Sequence, residues 1–347
     1  HNRALTVREA SLGPEHPDVA SSLNNLAALY NTRGRPAEAL RLIRRASAIH
    51  RDRRTLAAGE LSSASESGRR KVRHVFLRHA DAAYQNSIGV KDRERRAALT
   101  DEGFQAAQLA QATSTASAVA RMGARFAAGD DALAGVVRSR QDALERWRRL
   151  DKKLSTALGE QTKADERSEI DRLRRELRAL KRRIAGIDRR LTQEFPAYVE
   201  LSSPRPATLV EMQKLLGPDE ALIVYLTWTH STLMWTLRAD FAAMWRAKIG
   251  RNELQAAVKA MRRELDPAGF VSRTKAPPFD ATRAFELYQK LFEPAEPVLE
   301  DVRHVFVVPD AALQSLPLGV LITNKPQSAF TDFTGYRQAP WLARKYA

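Results

Sequence analysis

The segment HVFVVPDAALQSLPLGVL, His304 to Leu321, holds the residues whose types and order could do chemistry. An unbroken apolar run ends at Pro309-Asp310, and in sheets covered by helices on both faces, sites gather beyond the carboxyl ends of the strands. Asp310 at such a position could act on a substrate. Pro-Asp is also a turn-forming pair, and the turn reading is preferred. His304 stands at the entry of the run and His230 in a predicted hairpin, so neither is promoted to general base. The chain contains no cysteine, which excludes disulfides, thiolate metal ligands and a His-activated thiol nucleophile within it. No catalytic residue, metal ligand or cofactor is assigned.

The elements around this segment set its frame. Pro196, Pro204 and Pro206 end a long helical region. TLVEMQKLL then reads as one short helix, and ALIVYLTW and STLMWTLR alternate like two strands joined at Thr229-His230. FAAMWRAKI reads as a third strand, followed by helices in RNELQAAVKAMRREL and DATRAFELYQKLFEPAEPVL. HVFVV is then expected to be an interior strand of a parallel sheet, with Leu313, Leu316 and Leu318 folding back onto the core and an unpaired apolar edge at the strand or its neighbour.

The start of the chain is repeat material. RALTVRE (Arg3 to Glu9) overlays RASAIHR (Arg45 to Arg51) with Arg3/Arg45, Ala4/Ala46 and Val7/Ile49 coinciding in type. Between them, Pro17 and Asp18 open a helix with an inward stripe of Leu23, Leu26, Ala27 and Tyr30; Gly34 breaks it; Pro36 opens a second with Ala39, Leu40, Ile43 and Ala46 inward. LNNLA…Y…GR…EAL…RA resembles a tetratricopeptide repeat of the kinesin-light-chain type over Leu12 to Arg51. The resemblance implies a stacked array whose units are unstable singly, and a concave groove in which Asn24 would hold the backbone of a ligand peptide. Asn24 could equally bond within the repeat or face water.

From about Arg69 to Phe195 the pattern is helical. Val119, Met122 and Phe126 share one face. Ile170, Leu173, Leu177, Leu180, Ile184, Ile187 and Leu191 alternate spacings of three and four, a coiled-coil seam. Val137, Leu144, Trp147, Leu154 and Leu158 form a looser stripe upstream, and an antiparallel helical hairpin over about 131–195 lets the two bury each other.

The 347 residues carry a formal charge of +16. Arg, Lys, Glu and Ala interleave along the helices, which reads as solvated helix faces, and aromatic stacking residues are missing from RRELRALKRR. No specific nucleic-acid partner is therefore expected, only weak, salt-sensitive association. No apolar run is long enough to span a membrane, and a cytoplasmic location is expected.

LLGPDEALIVYL, FELYQKLFEP and RHVFVVPDAALQSLPLGVL, behind the repeat and FQAAQLAQ…ARMGARFAAG, resemble the CHAT domain family, caspase-like members of a cysteine peptidase clan. The resemblance covers about Phe104 to Ala347. It implies a caspase-like α/β fold, with peptidase chemistry in members that keep a His/Cys dyad; no residue here matches either position. The expected fold class is α+β multidomain: an α-helical repeat remnant and helical hairpin, then the N-terminal part of a caspase-like α/β domain. The expected divisions are a tetratricopeptide remnant at 1–52, a helical connector at 53–200 and a truncated CHAT domain at 201–347. The functional expectation is an inactive fragment of a bacterial-type CHAT peptidase with repeats that bind a protein or peptide. The alternative is a non-enzymatic scaffold with a degenerate CHAT domain.

Overall fold

The proline and glycine punctuation of the first fifty residues is realised in the structure, a computed structural model that describes residues 2–56, 66–111, 131–159, 164–202, 205–266, 279–326, 330 and 333–346. Residues 1–79 and 112–206 make one contact unit, and residues 80–111 and 207–347 a second. Among the described residues helix dominates, with one small mixed sheet.

In the first unit, α1 (Asn2–Leu12), α2 (Pro17–Thr32) and α3 (Pro36–Leu56) follow one another through short turns. Gly13 and Gly34 take positive φ, 88° and 69°, where a Cβ would be strained. His16 caps α2, its Nδ1 accepting from the Asp18 amide at 3.1 Å. Leu23, Leu26 and Ala27 of α2 are buried, as are Ala39, Leu40, Ile43 and Ala46 of α3. Tyr30 lies only half inside, with the Arg35 guanidinium 4.8 Å above its ring. α4 (Glu66–Ser87) brings Val75, Phe76 and Leu77 into the buried set. The face of Val119, Met122 and Phe126 lies outside the described residues.

After α5 (Arg93–Gln111), which belongs to the second unit, the first unit continues with α6 (Asp131–Gly159), α7 (Ala164–Glu194) and the short α8 (Pro196–Ser202). α6 and α7 run antiparallel, because Leu133 near the start of α6 clusters with Leu191 near the end of α7, and Leu154 with Ile170 and Leu173. The middle is closed by Ala143, Leu144, Leu180 and Ile184. Val136, rather than the expected Val137, takes the deeper place, since Ala143, Leu150 and Leu154 continue its row. Each large side chain covered this way is worth roughly 1.5–3 kcal/mol, which makes the unbroken α7 seam the mainstay of this pair.

The second unit begins at the end of α4 and continues through α5. After α9 (Leu209–Gln213), held by a capping box between Thr208 and Glu211, come β1 (Glu220–Thr227), β2 (Thr232–Leu237) and β3 (Ala242–Ala247). α10 (Arg251–Glu264), α11 (Ala281–Leu291), β4 (His304–Val308) and α12 (Phe333–Gln338) follow. The sheet order is β3-β2-β1-β4, with β1, β2 and β3 antiparallel and β4 parallel to β1. Trp235 faces α5, its Nε1 donating to the Thr100 carbonyl at 3.2 Å and its ring 6.4 Å from that of Phe104. Arg246 on the same face bonds Asp81 and stacks on Tyr84. Ala221, Ile223, Tyr225 and Met234 face the other way, into a core with Leu254, Val258 and Met261 of α10 and Ala284 and Leu287 of α11. Gly250 touches the β1-β2 turn so closely that a Cβ would lie 2.2 Å from the Thr229 carbonyl oxygen, which no side chain allows.

The interior placement expected for β4 needs correcting, while the expected unpaired edge falls on β4 itself. Among the described residues it is an edge strand, and only one of its faces is covered: Val305 and Val307 join the core, whereas Phe306 and Val308 are 51% and 40% exposed. An unbroken apolar run reads the same whether a strand is buried on both faces or merely lacks a neighbour, so pattern alone could not separate the two. The helices covering β1 to β3 on the α5 face leave β4 open. Leu313, Leu316 and Leu318 do fold onto the core.

Two outcomes test this packing. Ile184→Ala, at a site 1% exposed, is expected to cost about 2–5 kcal/mol, seen as faster amide exchange along both α6 and α7 in the full chain. Phe306→Lys is expected to leave the melting temperature within a degree or two, since a surface change away from special contacts is nearly neutral, and to reduce aggregation by blunting an open edge.

Candidate functional site

In the second unit, the carboxyl ends of the parallel strands β1 and β4 meet at Asp310. Its side chain is 6% exposed, and its Oδ2 accepts from the Thr227 amide at 2.7 Å. The carboxylate thus ties the last residue of β1 to the turn after β4, and the next residue, Ala311, takes a positive φ of 52°. A carboxylate spent on a buried amide serves as a strut, which agrees with the turn reading. The adjoining cleft, about 610 Å³, is edged by Arg251, Lys259, Arg262 and Arg263 of α10 together with Ser315.

His304 and His230 do not come together as a catalytic pair. His304 lies at the amino end of β4, exposed, with Nε2 4.0 Å from Asp219 Oδ2. His230 is exposed in the β1-β2 turn. Among the described residues no cluster of metal-ligating side chains occurs. Tyr225, fully buried, donates its hydroxyl to the Leu291 carbonyl at 2.8 Å, and burial raises its pKa; it locks β1 to α11.

In the first unit, Asn24 sits half-buried on α2. Its Oδ1 accepts from Arg78 Nε of α4 at 3.0 Å, while its amide nitrogen makes only a 3.5 Å contact to Asn25 Oδ1. The side chain is therefore oriented within the unit, and at least one N–H remains to donate to a main-chain carbonyl. Arg78 was not expected from the sequence; it lies beyond the repeat pattern, and nothing in its local context marks it.

A second arrangement in this unit also escaped the sequence. Arg53, two residues past the repeat pattern on α3, bonds Asp151 of α6 through Nη2 at 2.6 Å, and its guanidinium lies 5.0 Å above the Trp147 ring. Beside it, burial first and the Arg53 charge second drive the His50 pKa down to about 4. Burial likewise lowers that of His16, against an opposing pull from Asp18.

With this geometry in view, comparison with known proteins is informative at one end of the chain. The tetratricopeptide repeat family model matches residues 1–52, a span that takes in α1, α2 and most of α3. No curated protein matches the chain, and no solved structure does.

Two measurements follow. A histidine kept neutral in the fold, but free to protonate near pH 6.5 once unfolded, contributes stability above that pH and loses it as pH falls toward the folded value near 4. The melting temperature should fall between these limits, and His50→Gln should flatten the decline relative to the parent chain. For the strut, Asp310→Ala strands a buried amide and is expected to cost about 1–3 kcal/mol. Asp310→Asn keeps an acceptor and should cost less, both read from amide exchange at Thr227.

Proposed function

We propose that the chain is a protein-binding scaffold whose tetratricopeptide segment takes a peptide on the α2 face, with Asn24 donating to the backbone of the ligand. The observation that carries this reading is the family match over residues 1–52, laid on a helix pair that is well packed and leads through α4 into a larger helical unit. Repeats of this kind bind by presenting an extended face built from successive helices. Arg78 holds Asn24 Oδ1, which sets the orientation of the amide and leaves its nitrogen for the ligand.

We further propose that the α/β unit corresponds to the first part of a CHAT domain, as the resemblance of LLGPDEALIVYL, FELYQKLFEP and RHVFVVPDAALQSLPLGVL implies. The parallel β1-β4 pair with helices packed on the sheet is consistent with that reading, and with many other α/β proteins. The chain has no cysteine, so the thiol chemistry of the clan has no nucleophile in it. As it stands, its role is binding.

A peptide array probed with the full chain tests the binding role. Asn24→Ala is expected to weaken captured peptides by about tenfold or more, the worth of one hydrogen bond to a well-held partner left unpaired, with circular dichroism unchanged. Equal binding by the variant would remove Asn24 from the site. Against a fluorogenic peptide library the chain should release no product; release abolished by mutating His230 or His304 would contradict the reading.

A further inference from the structure

The first unit contains a second concave surface that the Asn24 face does not explain. It is a groove of about 850 Å³ between the turn after α1, the outer half of α3 and the α6-α7 pair, and no α2 residue lines it. Its volume is at the upper end of the usual range for ligand sites, roughly 300–1,000 Å³. Leu12, Ile49, Trp147, Leu154 and Leu177 supply an apolar lining.

The charged groups of the groove fall into two sets. Some are already paired: Arg53 with Asp151 at 2.6 Å, and Lys181 with Glu15 at 2.7 Å. These pairs, with Arg53 stacked on Trp147, fix the walls in advance, which lowers the ordering cost of binding. The other set is unsatisfied. Arg178 and Arg182 line the groove, are exposed, and form no ion pair among the described residues. They stand one helical turn apart on α7, so their guanidinium groups share a face. Arg174, also lining the groove, belongs with the paired set, since its guanidinium bonds Asp171 at 3.3 Å and the Ser11 carbonyl.

We infer that this groove binds a short acidic amphipathic segment of a partner protein, whose apolar side chains enter the lining and whose carboxylates, one helical turn apart, pair with Arg178 and Arg182. The charges select this occupant. Glu15, Asp52 and Asp151 lie in the same groove, and a uniformly charged polyanion such as nucleic acid would meet these carboxylates while offering nothing to the apolar lining. A segment with discrete carboxylates beside aliphatic side chains satisfies both. The inference rests on the protein-binding reading of the repeat unit but not on Asn24, since it uses different residues on different helices.

The test uses the full chain and a fluorescein-labelled peptide with glutamates and leucines at amphipathic helical spacing, followed by anisotropy at physiological salt. Arg178→Glu combined with Arg182→Glu should weaken binding at least about tenfold, as expected when charge-assisted hydrogen bonds are lost. Arg175→Glu combined with Arg189→Glu, equal in charge change but not lining the groove, should not. Replacing the leucines of the probe with serine should cost about ten- to a hundredfold, and Ala185→Trp, which fills the groove from an exposed position, should block the probe with the circular dichroism of the chain unchanged. The inference is overturned if the probe does not bind, if both pairs of charge reversals act alike, or if polyglutamate, duplex DNA or anionic vesicles compete as well as the leucine-bearing peptide. It is also overturned if Asn24→Ala abolishes probe binding while the Arg178/Arg182 pair of substitutions does not, an outcome that would leave the repeat-face reading standing.

Discussion

α2, α3, α6 and α7 of the first unit each carry an apolar stripe on one side, and such a helix is stable in water only while something covers that stripe. α2 and α3 cover each other, and α6 and α7 do the same along a seam that runs from Leu133 with Leu191 to Leu154 with Ile170. What remains outward on α3 and on the hairpin is mixed, part apolar and part charged. The Arg53–Asp151 pair stacked on Trp147 joins these outward faces and leaves the groove between them. The same constraint that folds the unit therefore also creates its unsatisfied surface.

The second unit meets this constraint with a sheet. Trp235 and Phe104 close one face, and Tyr225 with α10 and α11 closes the other. Asp310 then binds the last amide of β1, so this carboxylate at the strand ends is used for structure. The exception is β4, whose outer edge and Phe306 and Val308 are uncovered. The unit presents basic side chains along α10 beside the strand ends, and among its described residues no nucleophile is paired with a base.

The legible parts of the sequence were those with local, repeating signals. Pro17, Gly34 and Pro36 marked the repeat helices, the three-four spacing from Ile170 to Leu191 marked the α7 seam, and Thr229-His230 marked the β1-β2 turn. What stayed hidden depends on contacts between residues far apart in sequence. Arg53 and Asp151 are ordinary charged residues on helices with many others, and nothing local distinguishes them from their neighbours. Arg78 oriented against Asn24 is of the same kind. The interior placement expected for β4 failed for a related reason: five apolar residues encode a strand, and which of its sides stays unpaired is encoded elsewhere.

The central claim is that this chain engages a partner protein through its first unit. Hydrogen exchange on the full chain, with and without the glutamate–leucine peptide, tests it most directly. The account predicts slowed exchange in the outer half of α3, around Ile49 to Arg53, and in α7 around Leu177 to Ala185, with β4 unchanged. Protection confined to Val305–Val308 would mean that the open sheet edge captures the peptide, and would contradict the account.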